Sequence, residues 1–390
     1  MKIDSNTYKL TDDKKLKSKF FILGLLFSFL SILGYVNNEQ QFFHSYLVSF
    51  VFWITIALGA MFFVLISYVM NATWSVVLRR IAENLMKTLP LMFLLFIPIL
   101  IGLEHIYHWM DHHHLDHDKL LQWKEPFLNQ NFFVIRSILY FLIWIFISHK
   151  LYNYSINLKN DNDVINLRKI SAASILIFAL SVSFAGFDWL MTLDPHWYST
   201  MFGVYIFSGS FLSAVTFIII FSLYLRNQGI LVNEINIEHY HDLGRIAFGF
   251  VVFWSYIAGF QYYLIWYANI PEEIKWYLHR WVGTWKEFSM IIVCCHFIIP
   301  FFVLIFHNAK RNLSILGIMA FMLLSVHWMD LHWNVMPGIH KYNVVFDWSD
   351  VTTFIAIGGF FMSVFWHYLT KNPIIPDSDP RIKNSINGEY

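Results

Sequence analysis

The sequence predicts an all-α integral membrane protein with about ten transmembrane helices. The prediction rests on its composition and on the length of its apolar blocks. Of the 390 residues, 57% are apolar and only 14% are charged, and the mean hydropathy is +0.51. Soluble domains carry about 25% charged residues, so this chain has too few to cover a surface in water. Its apolar blocks approach the ~20 residues that a helix needs to cross a bilayer. Because the blocks are continuous and do not alternate, they indicate helices and not barrel strands.

Ten such blocks can be located along the chain. Their approximate limits are 19–36, 43–69, 85–109, 131–150, 170–190, 199–226, 243–269, 284–307, 312–332 and 350–369. They predict one transmembrane domain over residues 19–369, between a cytoplasmic N-terminal segment (1–18) and a cytoplasmic tail (370–390). The tail is polar and contains Pro376 and Pro380, which predicts a disordered end. The polar stretch 160–168 is expected to be a solvated connection between two spans.

The positive side chains predict the orientation. Of the 27 Lys and Arg residues, 20 fall on the side that holds both termini, six fall on the opposite side, and Arg136 lies within a span. Positive residues are retained in the cytoplasm during insertion, so both termini are expected there. No small-x-small cleavage motif follows the first apolar block, which favours an uncleaved first helix. The net charge of +1 gives no field that would attract nucleic acid.

Neither the cysteines nor the histidines favour a redox cofactor on this chain. Cys294 and Cys295 are adjacent within a span, and no CxxC or CxxCH motif occurs. The sequence therefore predicts no covalently attached haem and no iron–sulfur cluster. A b-type haem needs two histidines at one depth on facing helices, whereas most histidines here cluster at the outer ends of the predicted spans.

The outer end of the third span is the first candidate site. Glu104, His108 and Asp111 follow the i, i+4, i+7 spacing of one helical face, and His105 lies beside them. Carboxylates and imidazoles at this spacing can pass protons, because histidine titrates at about pH 6.5 and can both donate and accept hydrogen bonds. Proton transfer or contact with a quinone is one interpretation, a bound Zn or Cu is a second, and an ordinary interfacial helix end is the third.

The loop that follows is rich in histidine. Imidazoles are common ligands of Zn and Cu, so a bound metal is one interpretation of this loop. A solvated, pH-sensitive loop is the other. The residues concerned are His112, His113, His114 and His117.

Further charged residues lie within or near the outer ends of spans, where they are energetically costly and often functional. Asp188 ends the fifth span and is either functional or a helix cap, and Asp194 in the next turn is expected to cap a helix. His327 and Asp330 lie one turn apart near the outer end of the ninth span. Their depth resembles that of the Glu104 group, which they could face across a bundle.

Two more polar sites lie elsewhere in the predicted spans. Asp242 is expected to cap the start of the seventh helix, beside Arg245. His296 lies in the middle of the eighth span, upstream of Pro300, and is either a buried proton relay or a hydrogen-bonded core residue. Both sites are kept as candidates for a proton path.

Several longer motifs resemble one protein family. They are FDWLMTLDPHWYSTMFGVY (187–205), HDLGR (241–245), FWSYIAGFQY (253–262) and WYANIPEE (266–273). Together they resemble the F-type membrane subunit of bacterial alternative complex III, a quinol:cytochrome c (or high-potential acceptor) oxidoreductase. That subunit is related to the membrane subunits of polysulfide reductase-like enzymes. The motifs lie between about 184 and 340, and the flanking parts carry weaker motifs.

The resemblance implies a fold, a location and partners. The implied fold is two four-helix bundles plus peripheral helices, in a bacterial inner (cytoplasmic) membrane. The substrate of the implied complex is a quinol, with menaquinol expected, while haem c and iron–sulfur clusters lie in partner subunits and none in this chain. The implied partners are a homologous C-type membrane subunit, an iron–sulfur subunit and multihaem c-type cytochrome subunits, with a terminal oxidase as an open further partner. The resemblance places the better-supported quinol site in the C-type subunit, and a quinone site in this chain stays open. The implied role is structural support together with a proton path.

Two other functions stay open at this point. A proton-coupled secondary transporter would be expected to show broken helices in matched halves of the chain, and the sequence does not clearly show them. A purely structural scaffold would tolerate Glu104→Gln, His108→Ala and Asp188→Asn without loss of turnover.

Overall fold

The computed structural model describes residues 3–4, 8–10, 14–110 and 118–388, and 81% of it is helical, which confirms the all-α fold class. A short antiparallel ribbon of β1 (Ile3–Asp4) and β2 (Lys9–Leu10) precedes the helices. The helices of the first half are α1 (Lys14–Asn37), α2 (Glu39–Val69), α3 (Val76–Met86), α4 (Leu89–Leu95), α5 (Ile97–Ile101), α6 (Leu103–Ile106), α7 (Lys119–Lys124), α8 (Gln130–Ile156) and α9 (Asp161–Trp189). Those of the second half are α10 (Phe202–Asn227), α11 (Ile237–Ala268), α12 (Pro271–His279), α13 (Trp285–Val293), α14 (Ile299–Leu304), α15 (His307–Arg311), α16 (Leu313–Val335), α17 (Trp348–Lys371) and α18 (Ile382–Asn387).

Ten helical segments in the described part of the chain are long and apolar enough to cross a membrane, which confirms the predicted number. Eight are single long helices. The third span is Thr73–Ile101, built from α3, α4 and α5, and the eighth is Trp285–Leu304, built from α13, a π-helical turn and α14. Ten crossings place both termini at one end, called the inner end after the predicted orientation; the opposite end is the outer end.

The spans form two four-helix bundles with two helices outside them. Spans two to five (α2, α3–α5, α8 and α9) make the first bundle, and spans six to nine (α10, α11, α13–α14 and α16) make the second. Helix α2 packs against α10 and α16 and so joins the bundles, while α1 and α17 pair with each other and lie against α2.

One glycine sets the spacing between the bundles. A Cβ atom added at Gly59 of α2 would lie 2.0 Å from the carbonyl oxygen of Ser210 in α10, so the two helices touch backbone to backbone. Small residues permit this approach in membranes, where close packing takes over much of the role of the hydrophobic effect. The centre of the molecule is therefore a tight contact between helices.

Proline and a π-helical turn break two of the spans. The third span is interrupted around Pro90 and Pro98, as expected from the missing amide hydrogen of proline. The eighth contains the π-helical turn Cys294–Ile298 just before Pro300. The breaks fall in the second span of one bundle and the third span of the other, so they do not occupy matched positions.

The described part of the C-terminal tail is ordered, so the prediction of a disordered end is wrong there. Ile374 and Ile375 are fully buried, and α18 packs beside α3. The buried carboxylate of Asp379 accepts a hydrogen bond from Arg79 Nη2 at 2.6 Å. Burial of two isoleucines and a paired carboxylate fixes a segment whose composition alone suggested disorder.

The predicted connection at 160–168 is also wrong, because α9 already begins at Asp161. Asn160 caps the helix by accepting from the Asp163 amide, and the Asp163 side chain accepts in return from the Asn160 amide. This reciprocal capping lets a polar turn continue the helix beyond the apolar block.

Candidate functional site

The group at the end of the third span does not form the predicted helical face. Helix α6 ends at Ile106, the backbone of Tyr107 is extended, and His108 begins a separate 3-10 turn. Glu104 and His108 therefore do not lie one turn apart on a continuous helix. Glu104, His105 and His108 are all exposed at the outer end, where His105 Nε2 lies 3.4 Å from Glu39 Oε2.

The remaining members of that group and the histidine loop lie outside the described residues. They are Asp111, His112, His113, His114 and His117. Among the residues that the structure does describe, no group of three or more His, Cys, Asp or Glu side chains is placed to hold a metal ion.

Asp188 lies in a closed, fully paired cluster inside the first bundle. Its carboxylate accepts hydrogen bonds from Arg136 Nε at 2.8 Å, from Arg136 Nη2 at 2.9 Å and from the Tyr140 hydroxyl at 2.7 Å. Asp188 is completely buried, and the guanidinium lies over the rings of Phe127 and Phe132. The carboxylate is thus held by two nitrogens of one guanidinium and by a hydroxyl, and it does not cap a helix.

Two predicted helix caps are wrong because the helices begin elsewhere. Helix α11 starts at Ile237 with Asn236 as its cap, so Asp242 lies in the second turn, where it pairs with Arg245 at 3.2 Å. Arg245 is largely exposed at the inner end. Helix α10 starts at Phe202, so Asp194 lies in a turn that precedes it.

His327 and Asp330 lie inside the second bundle, where each has partners of its own. His327 Nε2 lies 2.9 Å from the Thr55 hydroxyl of α2, and its ring fits against Gly209, where a Cβ atom would approach to 3.0 Å. The Asp330 carboxylate accepts a short hydrogen bond from the Tyr205 hydroxyl of α10. The predicted meeting with the Glu104 group does not occur in the described structure.

Asp330 faces a cavity of about 830 Å³ in the outer half of the second bundle. This aromatic cavity lies between α11, α12, α13 and α16. Aromatic rings form most of its wall, and a few polar groups converge in it. The residues that characterise it are Tyr205, Trp254, Gln261, Trp276, Tyr277, Arg280, Trp281, Ser289, Asp330 and Trp333.

The mouth of the aromatic cavity opens on the side of the bundle. Tyr256, Phe260 and Tyr263 of α11 and Met290 and Val293 of α13 line it, and each is 45–53% exposed. Because both helices belong to membrane spans, this opening faces the lipid or another membrane subunit.

The buried end of the cavity is a hydrogen-bonded triad of Asp330, Tyr205 and Asn334. Tyr205 donates to Asp330, and Asn334 Nδ2 donates to the Tyr205 oxygen at 3.0 Å and to the backbone oxygen of Asp330 at 2.8 Å. All three residues are at most 5% exposed. No lysine or arginine among the described residues forms an ion pair with Asp330, and the hydrogen bond to its carboxyl group comes from the neutral hydroxyl of Tyr205.

Arg280 places a buried positive charge at the wall of the same cavity. Its three nitrogens donate to the backbone oxygens of Trp276, Trp333 and Asn334 at 2.8–3.1 Å, and the guanidinium lies 3.5 Å from the centre of the Trp276 ring. Burial lowers the pKa of Arg280 to about 9, which leaves it charged at neutral pH. It forms no ion pair with any described carboxylate, so it is available to an anionic group.

His296 borders this region and is fully buried in the π-helical turn. Its ring stacks on Trp254 with 3.8 Å between ring centres, and neither ring nitrogen has a hydrogen-bond partner in the described part of the chain. The interpretation of His296 as a hydrogen-bonded core residue is therefore wrong for the described contacts. Buried imidazoles of this kind usually bind ordered water.

A second cavity, the outer cleft, opens at the outer end between the two bundles. Its volume is about 640 Å³, and its walls carry many polar groups. Among them are His108, Asp118, Asp194, His196, His279, Arg280, Asn334 and Lys341. Burial alone would raise the pKa of Asp118, but hydrogen bonds from His196, at 2.5 Å, and from two backbone amides hold it below its ordinary value.

Sequence reasoning found Asp330 but missed two groups that line the same cavity, Tyr205 and Arg280. Tyr205 lies 125 positions away on another helix, and Arg280 lies in a loop segment that carries no motif. A signal for Arg280 did exist, because an arginine flanked by Trp276 and Trp281 at a membrane boundary can stack on aromatic rings.

Comparison with known proteins adds no relative. No protein-family model matches the chain, and a search of curated proteins finds no match to it. The resemblance to the alternative complex III subunit therefore stays a prediction from sequence motifs.

Proposed function

We propose that this chain is an integral membrane subunit of a quinol:cytochrome c (or high-potential acceptor) oxidoreductase in a bacterial inner membrane. We further propose that its aromatic cavity holds the head group of the quinol. The observation that carries the proposal is a cavity with a laterally open, aromatic wall and a buried carboxylate, Asp330, at its closed end.

The chemistry of a quinol fits this cavity. A quinol has a flat aromatic ring with two hydroxyl groups and an apolar tail. The tryptophan and tyrosine rings offer stacking surfaces, and the exposed apolar side chains at the mouth let the tail stay in the lipid. The convergent polar groups can fix the orientation of the ring, as in most small-molecule sites; Asp330, Gln261 and Arg280 would bind the hydroxyls.

The proposed roles follow from charge. Oxidation of a quinol releases two electrons and two protons. Asp330 accepts the two protons in turn from the ring hydroxyls, releasing the first before it takes the second, and Arg280 stabilises the negative charge that develops on the ring oxygen. The electrons pass to an iron–sulfur or haem centre of a partner subunit. This chain thus binds and deprotonates its substrate beside the partner that oxidises it.

Asp330 suits this role better than Asp188, another buried acid of the outer half. A carboxylate that is paired with an arginine is held in its charged form, whereas one that is stabilised by a hydroxyl can change its protonation state at lower cost. Asp188 belongs to the first kind and Asp330 to the second. Proton exchange is therefore assigned to Asp330.

Binding to the purified chain tests the cavity. A short-chain naphthoquinone should quench the fluorescence of the cavity tryptophans, and Asp330→Asn or Tyr205→Phe should weaken its binding at least tenfold. Glu104→Gln removes an exposed outer carboxylate and is the matched control, with unchanged binding expected. Equal affinities for all four proteins would refute the assignment of the cavity.

Isolation from the native membrane tests the complex. A tagged chain extracted in mild detergent should co-purify with iron–sulfur and multihaem cytochrome polypeptides, identified by mass spectrometry. A chain recovered without redox partners would contradict the proposal and favour the proton-coupled transporter. Many transporters consist of inverted repeats with broken helices at matched positions. The two broken spans of this chain lie at unmatched positions, so they do not support the transporter alternative.

A further inference from the structure

We infer that the inner end of the molecule carries a binding site for the phosphate group of an anionic phospholipid. Lys87, His149 and Lys371 form this site, which lies between α8 and α17 at the junction of α3 and α4. The aromatic cavity lies in the outer half of the other bundle, and the inference does not rest on the proposed function.

Lys87 is a buried lysine with few partners. It follows the last residue of α3 and is only 6% exposed. Its Nζ lies 3.3 Å from His149 Nδ1 and 5.4 Å from the ring centres of Tyr152 and Tyr368. An ammonium group has three N–H donors, and His149 accepts from one of them. The other two have no acceptor among the described residues, so the group can still donate to a ligand.

A second lysine without a counter-charge lies beside Lys87. Lys371 is exposed at the end of α17, one turn after Tyr368, and its charge repels that of Lys87. The nearby carboxylates of Glu83 and Asp379 are taken up by three arginines. Neither lysine forms an ion pair with any carboxylate that the structure describes. An anion between the two lysines would remove their repulsion and accept the free N–H groups of Lys87.

These cations lie at the depth of the inner lipid head groups. The third, fourth and tenth apolar blocks have their inner limits at about residues 85, 150 and 369, next to Lys87, His149 and Lys371. Basic pockets between transmembrane helices on the cytoplasmic side bind the head groups of anionic lipids. The position of the site therefore favours a lipid phosphate.

Exposed apolar side chains extend from the site toward the middle of the membrane. They are Leu94 and Ile97 of the third span and Leu142 and Phe146 of α8, each 49–65% exposed. Ile97 is ten positions after Lys87, which is about 15 Å along a helix and half of the ~30 Å hydrocarbon core. Helix α4 packs against both α8 and α17, so the apolar surface beyond the cations matches the acyl chains of one leaflet.

The charge of the site selects among phospholipids. A zwitterionic head group brings its own ammonium, which Lys87 and Lys371 repel, whereas phosphatidylglycerol brings only the negative phosphate. Inorganic phosphate has the charge but no acyl chain to cover the apolar rows. The site therefore fits an anionic phospholipid better than either of the other two.

Native mass spectrometry of the delipidated full chain in detergent tests the site. Phosphatidylglycerol and phosphatidylethanolamine with identical acyl chains are added in turn, and bound lipid is counted at each concentration. We expect one phosphatidylglycerol to bind at least about tenfold more tightly than phosphatidylethanolamine. Each lysine near the membrane surface should contribute about fivefold, so Lys371→Gln should weaken binding about fivefold and Lys87→Gln/Lys371→Gln about 25-fold.

The matched control removes two other lysines of the inner end. Lys159→Gln/Lys169→Gln changes the net charge by the same amount at exposed positions before and within α9, and its lipid binding should equal that of the unmodified chain. Because Lys87 packs between two tyrosine rings and its removal can disturb folding, the exposed Lys371 decides the case.

Three results would overturn the inference. The unmodified chain could bind both lipids equally, or Lys371→Gln could bind phosphatidylglycerol as tightly as the control variant does. Inorganic phosphate could also displace the lipid at equal concentration, which would show a site for a free anion and not for a lipid.

Discussion

Removal of the charge of Asp379 is expected to release the C-terminal tail from the inner end. Arg79 is fully buried and donates to Asp379 at 2.6 Å and to Glu83 at 3.3 Å, and Arg381 donates to the same Asp379 oxygen at 2.8 Å. Breaking a buried ion pair costs about 3–5 kcal/mol, because one charge stays buried. Glu83 still faces Arg79, so we expect Asp379→Asn to weaken tail docking by about 2–3 kcal/mol.

The acid dependence of this contact has a definite sign. Burial by itself would raise the pKa of Asp379, but Arg381 and Arg79 outweigh burial and hold that pKa well below the ordinary value of 3.8. A depressed pKa adds stability that is complete above the unfolded pKa and is lost as the pH falls through the folded pKa. Docking of the tail should therefore be unaffected at neutral pH and should weaken only below about pH 4.

Trypsin provides the assay, because Arg381 and Lys383 lie in the docked tail. A loss of 2–3 kcal/mol corresponds to about a 30- to 150-fold larger undocked population, since each 1.4 kcal/mol is about a factor of ten. Cleavage of Asp379→Asn at these sites should accelerate by that factor in detergent at neutral pH. Asp377→Asn changes an exposed carboxylate two positions away and should behave like the unmodified chain. Equal cleavage of the two variants would refute the reasoning.

Two further predictions concern packing and surface charge. Gly59→Ala places a Cβ atom 2.0 Å from the Ser210 carbonyl oxygen, so it should sharply reduce the yield of folded protein, measured by size-exclusion chromatography. Gly249→Ala is the control, because a Cβ atom there meets nothing within 4 Å and the yield should not change. Equal yields of the two variants would contradict the backbone contact. Asp242→Asn breaks an ion pair with a mostly exposed arginine and should change thermal stability by less than about 0.5 kcal/mol. A clear drop in melting temperature would show that this pair carries more than its exposure suggests.

The number and order of the spans could be predicted because the information is local. A block of about twenty apolar residues fixes a span without reference to any other part of the chain. The breaks near Pro90 and Pro98 were predictable for the same reason, since proline acts on its own helix. Helix starts such as Asp161 and Ile237 were missed because polar capping residues extend a helix into water, where hydropathy gives no signal.

A four-residue motif that occurs twice shows what a short sequence cannot predict. The sequence His-Trp-Met-Asp occurs at 108–111 and at 327–330. In the first copy, His108–Met110 is a 3-10 turn at an exposed helix end, whereas the second lies within the continuous helix α16. Pro90 and Pro98 interrupt the span that ends at the first copy, whereas α16 contains no proline between Leu313 and the second copy. The residues around the motif, and not the motif itself, decide whether it lies in a continuous helix.

The contacts of the candidate site could not be predicted from one sequence, since they join distant segments. Tyr205 and Asp330 meet across 125 positions, and Arg280 reaches Asn334 across 54. Only the packing of α10, α12 and α16 brings these groups together. The sequence could name Asp330 as a charge in a span, but it could not show that its partners are a hydroxyl and an amide.

The different partners of Asp188 and Asp330 yield a final prediction: Asp188 should matter for folding stability and Asp330 for binding. Asp188→Asn leaves the buried charge of Arg136 without its partner, which should cost about 3–5 kcal/mol of folding stability. Asp330→Asn keeps an oxygen that can accept from Tyr205, so its stability cost should stay below about 1.5 kcal/mol, while naphthoquinone binding falls. Thermal unfolding and binding are measured on both variants. If Asp330→Asn unfolded and Asp188→Asn lost only binding, the roles assigned to the two carboxylates would be reversed, and the first bundle would hold the site.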